Sequence, residues 1–365
     1  MGQPNCGIVK MFHKLAEHPK TVLTAPLLFL IIIVAIVLSA VAVTWSDNEI
    51  RLTTHMGFDG IPSIIQTVDG RIWVVWTRSV SLDYSIIYQT SSDGGASWSP
   101  ETTLTTDVGV DVSPSIFQDV NGSIWVVWSS DRTGGYDLYY KTSSNGGLNW
   151  TDANRLTTGP ALDKLPSITQ TSDGNVWISW SSRNEQEEYE IFYITYNGSS
   201  WSNKTQLTAA PNEVDTDPAI LEVLGETILI FWASRGTGPS AQTDDLYYKY
   251  SSDNGATWSD RILFTKDSLQ YDDTWPTLTQ VRDTKIWVAW TSNIADEDYD
   301  IYLRASLAGD VNEDGEVDIF DLTLVAQAYG SVVGDPAYDE ACDITKDGRV
   351  DMRDLTIVSK YYGAT

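Results

Sequence analysis

Two twelve-residue segments near the end of the sequence carry acidic residues at a spacing that suits a hard divalent cation. They read "DVNEDGEVDIFD" (310–321) and "DITKDGRVDMRD" (343–354). In each segment the acids fall at positions 1, 5, 9 and 12, and glycine occupies position 6, where such a loop turns sharply. Oxygen atoms from positions 1, 3, 5 and 12, from the backbone at 7 and from a water at 9 can surround Ca²⁺. The sequence therefore predicts two calcium sites of the EF-hand loop type.

The two loops supply parallel sets of ligands, and each loop precedes a helical pattern, "LTLVAQAYG" or "LTIVSKYYG". Threonine at position 3 of the second loop replaces the usual Asn or Asp and is expected to weaken that site. The predicted first set is Asp310, Asn312, Asp314, Glu316, Asp318 and Asp321. The predicted second set is Asp343, Thr345, Asp347, Arg349, Asp351 and Asp354.

This duplicated loop–helix unit, with no helix before the first loop, resembles a type I dockerin over about 307–363. The resemblance implies calcium-dependent binding to a cohesin domain on a scaffold or cell-surface protein. It also implies partner contacts at loop positions 10 and 11, where the pairs differ from the Ser-Thr type best known in the family. Those positions are Ile319, Phe320, Met352 and Arg353. The alternative is a domain that calcium stabilises and that has no partner.

A second set of acids and arginines recurs through the first 306 residues. An aspartate stands three residues before a proline in five places: Asp59, Asp111, Asp163, Asp215 and Asp273. An arginine follows a Trp-rich segment in four places: Arg78, Arg132, Arg183 and Arg235. Acids, arginines and neighbouring tyrosines suit a polar ligand such as a sugar. The structural alternative is that the aspartates cap turns and that the arginines pair with nearby acids.

The elements that position these residues follow from a repeat. Five Trp-strand segments, "IWVVW" twice, "VWISW", "LIFW" and "IWVAW", lie at successive spacings of 52, 52, 52 and 58 residues. Around each lie a Pro-led apolar run and two further strand patterns, and Asp-Gly or Asn-Gly hairpin turns mark three of the units. Four antiparallel strands per repeat are typical of a β-propeller blade. The fifth unit stops after its third strand, and "NEIRLTT" (48–54) reads as an orphan fourth strand. We therefore predict five blades, with the N-terminal strand closing the ring.

A glycine-rich turn, "SSDGGASW" (91–98), recurs as "SSNGGLNW", "SSDNGATW" and "TYNGSSW". An aspartate followed by glycines fits a turn cap, and the tryptophan can pack between strands. The turn resembles the Asp box (BNR repeat) of sialidase-like propellers, in which the box is structural. Sialidases also need an Arg-Ile-Pro motif, but the matching positions here read "GIP", "VSP", "KLP", "TDP" and "TWP". The catalytic set of that family therefore cannot be transferred, and catalytic residues stay unassigned.

The charge and hydropathy of the chain bound its setting. The formal net charge of −27 argues against nucleic acid as a partner. Residues 21–45 contain no charge and, at ~1.5 Å per residue, are long enough to span a membrane. Lysines before this segment and acids after it place the N-terminus in the cytoplasm. A signal peptide cleaved near "AVA" (40–42) is the alternative, and either reading exports the remainder.

These observations predict a cytoplasmic tail (1–20), a transmembrane anchor (21–45), a mainly β propeller (46–306) and a small α-helical dockerin (307–365). The predicted function is an extracellular, membrane-anchored propeller that binds carbohydrate or a surface ligand and docks to a cohesin. A divergent sialidase-like glycoside hydrolase that degrades polysaccharide is the alternative, and a purely architectural surface protein is the third. The missing Arg-Ile-Pro motif favours binding, whereas a dockerin commonly accompanies polysaccharide-degrading enzymes.

Overall fold

The structure is a computed structural model. It describes residues 50–80, 83–183, 188–223, 226–236, 243–265, 271–280, 285–293, 299–306, 311, 317, 319–339, 341–345 and 348–362. The chain divides into two compact units, Met1–Ile50 and Arg51–Thr365, and the features below belong to the second. The predicted tail and anchor (1–45) lie outside the described residues. Within the described ranges no helix has the length and apolar character needed to cross a membrane.

The five predicted blades are confirmed as five antiparallel sheets, each built from one sequence repeat in chain order. The first four sheets have four strands, and the described residues of the fifth form three. The strands of the first two blades are β1 (Phe58–Gln66), β2 (Ile72–Val80), β3 (Asp83–Ser91), β4 (Thr102–Thr103), β5 (Asp111–Gln118), β6 (Ile124–Ser130), β7 (Asp137–Ser143) and β8 (Asn154–Arg155). Those of the third and fourth are β9 (Leu162–Gln170), β10 (Val176–Arg183), β11 (Tyr189–Tyr196), β12 (Thr205–Gln206), β13 (Glu213–Val223), β14 (Thr227–Gly236), β15 (Asp245–Ser251) and β16 (Ile262–Leu263). The fifth blade has β17 (Asp273–Gln280), β18 (Ile286–Ser292) and β19 (Asp300–Ala305).

The first strand of every blade breaks its register at the residue before the proline. That residue has a left-handed backbone in all five blades, with φ between 52° and 58°. A non-glycine residue in this region costs of order 1–3 kcal/mol, so the blade geometry as a whole must hold it there. The bulge takes the side chain out of the regular alternation of the strand. The five residues are Ile61, Ser113, Leu165, Asp217 and Trp275.

Neighbouring blades pack through the tryptophans of the repeat. Trp73 of the first blade meets Trp150, from the glycine turn of the second blade, edge to face at 6.2 Å. Gly147 of that turn has φ of +83°, and a Cβ added there would lie 2.2 Å from the Trp73 ring. The Asp-box turn of one blade thus lies against the first tryptophan of the blade before it. Apolar clusters of this kind join the four consecutive pairs of blades.

The Asp-box acid is a turn cap, as the sequence suggested. Asp93 accepts hydrogen bonds from the Ser97 backbone N–H at 2.9 Å and from the Ser91 hydroxyl at 2.8 Å. The Ser97 hydroxyl also donates to Asp93 and has the largest effect. Together the three hydrogen bonds lower the pKa of Asp93 to about 2. Asp253 makes the same contacts in the fourth blade.

The junction between the fifth and first blades corrects one prediction. Ile50–Thr54 contains no strand, and Asn48 and Glu49 lie outside the described residues. Leu52 packs on Val74 and Trp76 of the first blade, as the fourth-strand Leu104 packs on the second blade. The segment therefore takes the place of a preceding fourth strand without pairing with β19. Fourth strands make only two residue pairs in the other blades, so packing on the next blade outweighs pairing within the sheet.

The C-terminal region contains two helices, α1 (Ile319–Ala328) and α2 (Met352–Tyr361). Each begins inside the last positions of a predicted calcium loop, which confirms the loop–helix order. The Asp351 side chain caps α2, and Asp354 completes a reciprocal capping box. Val317, Val350 and the two helices share a buried apolar cluster, so the halves of the duplication form one small core.

Candidate functional site

The second predicted calcium loop brings buried carboxylates together. Asp343 and Asp354 are 1% and 0% exposed. The Thr345 hydroxyl lies 2.9 Å from Asp354 Oδ1 and 3.5 Å from Asp343 Oδ1, between the two acids. Both carboxylates also accept hydrogen bonds from the loop backbone, Asp343 from the Gly348 N–H and Asp354 from the Thr345 N–H, each at 2.8 Å. This oxygen-only donor set fits Ca²⁺, which type I dockerin domains generally bind.

The remaining predicted ligands divide into placed and unplaced residues. The Asp351 backbone N–H donates to Asp354 Oδ2 at 2.8 Å, and Arg349 bridges to Val332 through its backbone. Buried Asp321 of the first loop accepts from the Val311 N–H at 2.6 Å. Among the residues that can be described, no group of three or more His, Cys, Asp or Glu has an arrangement that could hold a metal ion. Asp310, Asn312, Asp314, Glu316, Asp318 and Asp347 lie outside that set.

The predicted partner residues are exposed at equivalent places on the two helices. Ile319 and Phe320 open α1, and Met352 opens α2, with large apolar side chains in solvent. Arg353 pairs with Asp351 at 2.8 Å. An apolar groove lined by Leu322, Ala326 and Leu355, among others, adjoins Ile319. An exposed apolar patch of this kind is typical of a protein-binding surface.

The repeated aspartates of the propeller mostly serve the fold. An indole Nε1 donates to Oδ1 of the aspartate seventeen residues before it in four blades. The distances are 3.0 Å from Trp76 to Asp59, 3.1 Å from Trp128 to Asp111, 2.9 Å from Trp180 to Asp163 and 3.1 Å from Trp290 to Asp273. Three of these aspartates are buried, so they support a structural role, as acceptors for an indole N–H, rather than an open acidic ring.

The repeated arginines have partners within their own blades. Arg78 pairs with Asp59 at 2.6 Å and also with Glu101. Arg132 pairs with Asp107 at 2.6 Å and with Asp111 at 3.0 Å. These contacts favour a structural role for the first two arginines.

The other two arginines have contacts of different kinds. The Arg183 guanidinium lies 5.8 Å from the centre of the Tyr189 ring. Arg235 is 3.9 Å from Asp244, at the limit of an ion pair.

The fourth blade breaks the Trp–Asp rule. Asp215 is 1% exposed, yet its Oδ1 and the Nε1 of Trp232 have no hydrogen-bond partner in the described part of the chain. Burial raises the pKa of Asp215. Buried Glu190, from the third blade, accepts a 2.5 Å hydrogen bond from the Thr208 hydroxyl. Burial and then the charge of Asp215 raise the pKa of Glu190 to about 7, so this carboxyl is partly protonated near neutral pH.

Sequence alignment of the repeats explains why Glu190 differs. Its counterpart in the second blade, Asp137, pairs with Arg155 at 2.6 Å. The position of Arg155 holds Gln206 in the third blade, and that amide donates to the Thr208 carbonyl. Glu190 thus lies in the same kind of buried position without the cation.

Exposed aromatic and acidic side chains meet where the fourth and fifth blades adjoin. Trp275, the bulge residue of β17, is 62% exposed, and Tyr299 is 54% exposed. The Trp275 indole lies near enough to Asp217, the bulge residue of β13, to lower the pKa of that carboxyl. The Tyr299 hydroxyl donates to Asp272 Oδ2 at 3.1 Å, and Asp272 Oδ1 accepts from the Asp244 N–H at 3.2 Å. These five residues are named the blade 4–5 cluster.

Three of the five side chains in the blade 4–5 cluster are acidic. Burial, together with the smaller contribution of the neighbouring Asp244 charge, raises the pKa of Asp217 to about 6. Burial also raises the pKa of Asp244, which Arg235 opposes and Asp272 reinforces. The carboxyl groups can accept hydrogen bonds, and the two aromatic rings offer flat apolar surfaces with polar edges. Such a combination can hold a ligand that has both hydroxyl groups and an apolar face.

Sequence reasoning pointed to Arg235, which faces Asp244 of this cluster, but it overlooked Asp217 and Trp275. The signal was present in the residue before each proline, which is acidic in "TDP" and aromatic in "TWP". The missing knowledge was the left-handed bulge, which turns these two side chains out of the strand pattern.

The fold and the loops together define a five-bladed propeller joined to a small calcium-loop domain. Residues 308–362 match the Dockerin type I domain family, so this part of the chain is a type I dockerin domain. No curated protein sequence matches the chain.

Solved structures share the propeller fold at low identity. A protein of unknown function from Dyadobacter fermentans has a TM-score of 0.54 and 13% identity, over 64% of this chain and 75% of that one. An alpha-L-arabinanase from Penicillium chrysogenum, complexed with arabinobiose, has a TM-score of 0.50 and 14% identity, over 65% and 78%. A sialidase from Streptococcus pneumoniae has a TM-score of 0.47 and 10% identity, over 64% and 65%. Likeness at this level concerns the fold alone.

Proposed function

We propose that this protein is a carbohydrate-binding propeller that docks to a cohesin through its C-terminal domain. The observation that carries the first part is the exposed Trp275 ring beside Asp217, with Tyr299 in the same cluster. A sugar ring presents an apolar C–H face and a rim of hydroxyl groups. The aromatic rings suit the face, and the carboxyl oxygens suit the hydroxyls.

Exposure of these aromatics supports a binding role over a purely architectural one. The tryptophans that hold the blades together, such as Trp128 and Trp180, are fully buried. Trp275 has a different environment, since most of its surface remains in solvent. The apolar surface of an exposed tryptophan is unfavourable in water, and such a side chain contributes little to the core. Its exposure therefore favours contact with a ligand.

A polysaccharide panel tests this proposal. The full chain would be titrated with soluble arabinan, galactan, xylan and glucan oligosaccharides in the presence of Ca²⁺. We expect the chain to bind at least one member of the panel. Trp275→Ala should weaken that binding about tenfold, because loss of ring stacking removes ~1.4 kcal/mol. Tyr250→Ala is the matched control, because Tyr250 is an exposed aromatic on β15 outside the cluster. Equal weakening by both substitutions, or binding that ignores Trp275, would contradict the assignment.

Docking to a cohesin is supported by the family of residues 308–362 and by the exposed apolar residues at both helix starts. Pull-down against a set of cohesin domains should recover the chain with Ca²⁺ and lose it with EDTA. Paired Ile319→Asp and Phe320→Asp changes should abolish capture while the helical circular dichroism persists. Capture that survives both changes would exclude this surface.

A glycoside hydrolase is the second candidate, and the raised pKa values of Asp217 and Glu190 favour it. A general acid needs a carboxyl that is protonated near the working pH, and hydrolysis needs two carboxyls. Mass spectrometry of the same oligosaccharides after incubation tests it. Released sugar that disappears in Asp217→Asn would establish hydrolysis; intact oligosaccharides would leave binding alone.

The extracellular location is proposed from the sequence. The uncharged segment 21–45 and its flanking charges support a single-pass anchor with the remainder outside. The mass of the mature N-terminus, measured on protein from cells, separates anchor from signal peptide. An N-terminus near residue 43 would indicate cleavage, and an intact tail together with protease-accessible propeller would indicate the anchor.

A further inference from the structure

The blade 4–5 cluster has a charge pattern that bears on which sugars it can accept. The Asp244 carboxyl interacts electrostatically with those of Asp217 and Asp272. Among the described residues, Arg235 is the cation that acts on Asp244, at 3.9 Å. Tyr299 donates to Asp272, and the Trp275 indole lowers the pKa of Asp217. A ligand on these rings therefore contacts an acidic surface.

We infer that the blade 4–5 cluster takes uncharged glycans and excludes sugar acids such as uronic and sialic acids. This inference rests on the proposed carbohydrate-binding function and adds its substrate class. A sugar carboxylate needs a cation or a set of N–H donors to replace its water. The cluster offers it carboxylates, one arginine that faces Asp244, and a Tyr299 hydroxyl that already donates to Asp272.

The overall charge acts in the same direction at longer range. The formal net charge of −27 repels anions during approach, whereas an uncharged glycan is unaffected. Contact repulsion and long-range repulsion differ in their response to salt, because ions screen charges beyond about 10 Å at 0.1 M. Exclusion that persists at high salt must come from the cluster itself.

The pH dependence follows from the groups that face Asp217. Asp244 lies within its electrostatic reach, and the Thr216 hydroxyl donates to it at 2.9 Å. The Trp275 indole lowers the pKa of Asp217, and Arg235 and Asp272 act on Asp244. Protonation of Asp217 removes one negative charge from the cluster as pH falls through about 6. Exclusion of sugar acids should therefore weaken between pH 7 and pH 5, since uronic acid groups stay ionised there.

A matched pair of ligands gives the test. α-1,4-Galacturonan oligosaccharides and their carboxyl-reduced forms, which are α-1,4-galactan oligosaccharides of equal length, differ only at C6, which is a carboxylate in one and CH₂OH in the other. The full chain with Ca²⁺ would be titrated with both at pH 7 and 0.5 M salt. We expect the galacturonan to bind at least tenfold more weakly than the galactan. Asp217→Asn combined with Asp244→Asn should reduce this difference in affinity, called the affinity gap, severalfold.

Asp260→Asn combined with Asp152→Asn is the control, because it makes the same change in net charge at exposed acids outside the cluster. This control should leave the affinity gap unchanged. Equal or tighter binding of the galacturonan would overturn the exclusion of sugar acids while carbohydrate binding stands. Binding of neither oligosaccharide would count against the proposed function itself. If the control substitutions reduce the affinity gap as much as the cluster substitutions do, the discrimination comes from net charge. That result would contradict a role for the cluster.

Discussion

At the residue scale, the same residue type has different roles in different blades. Asp163 is a buried acceptor for Trp180, whereas Asp215, at the same place in the next blade, lacks its tryptophan bond. Repetition of Asp-x-x-Pro could be predicted from the sequence. The loss of one bond could not, because it depends on neighbours from another blade, such as Glu190 and Thr208.

The Trp–Asp bond makes a stability prediction. Asp163→Ala leaves the Trp180 N–H buried and unpaired, so the free energy of unfolding should fall by about 2 kcal/mol. Asp215→Ala removes a buried carboxyl that has no such bond and should cost less. Urea unfolding followed by tryptophan fluorescence reports the propeller, since residues 307–365 contain no tryptophan. A larger loss for Asp215→Ala would contradict this assignment.

Glu190 predicts a pH dependence of stability. Its folded pKa of about 7 lies above its ordinary value of 4.5, so the folded state favours the protonated form. The stability that this preference contributes is fully present below pH 4.5 and is lost as pH rises through 7. In Glu190→Gln the free energy of unfolding should decrease less as pH rises. At pH 8 it should exceed that of the unmodified protein by at most about 3 kcal/mol. Parallel pH profiles for the two proteins would show that Glu190 is not the cause.

At the element scale, the blades are held by what each turn places against the previous blade. The repeat of 52 residues and its turn residues were enough to predict the strands and their order. The prediction that 48–54 pairs as a fourth strand of the fifth blade was wrong. The sequence pattern does not show whether such a short segment pairs with its own sheet or packs on the next blade. Leu52 packs on the first blade.

Two glycines of the Asp-box turns test this packing. Gly147→Ala would place a Cβ 2.2 Å from the Trp73 ring, so it should destabilise the propeller by about 3 kcal/mol or more. Gly95→Ala is the matched control, because its φ is also positive but no described atom lies within 4 Å of the added Cβ. Its cost should stay near the ~1–2 kcal/mol of a left-handed backbone. Thermal unfolding midpoints that fall equally would contradict the interblade contact.

At the scale of the whole molecule, the chain combines a five-bladed propeller with a type I dockerin domain. The sequence was sufficient for the dockerin, because its loop spacing is set by the coordination chemistry of calcium. The propeller site needed the structure, because Trp275 and Asp217 come from different blades 58 residues apart.

Calcium removal should separate the two parts. Chelation leaves the buried Asp343 and Asp354 carboxylates without a cation, so the helical signal of the C-terminal domain should be lost. Tryptophan fluorescence should stay unchanged, because the propeller tryptophans do not depend on that metal. Equilibrium dialysis should give two bound Ca²⁺ per chain, and one in Asp354→Ala. A propeller that unfolds together with the domain would contradict independent stabilisation.

The central claim is that the blade 4–5 cluster binds carbohydrate. Hydroxyl-radical footprinting of the full chain, with and without its best oligosaccharide ligand, tests the location directly. We predict that the ligand reduces oxidation of Trp275 and Tyr299 and leaves Tyr250 unchanged. Protection elsewhere, with Trp275 and Tyr299 oxidised as in the free protein, would contradict the claim.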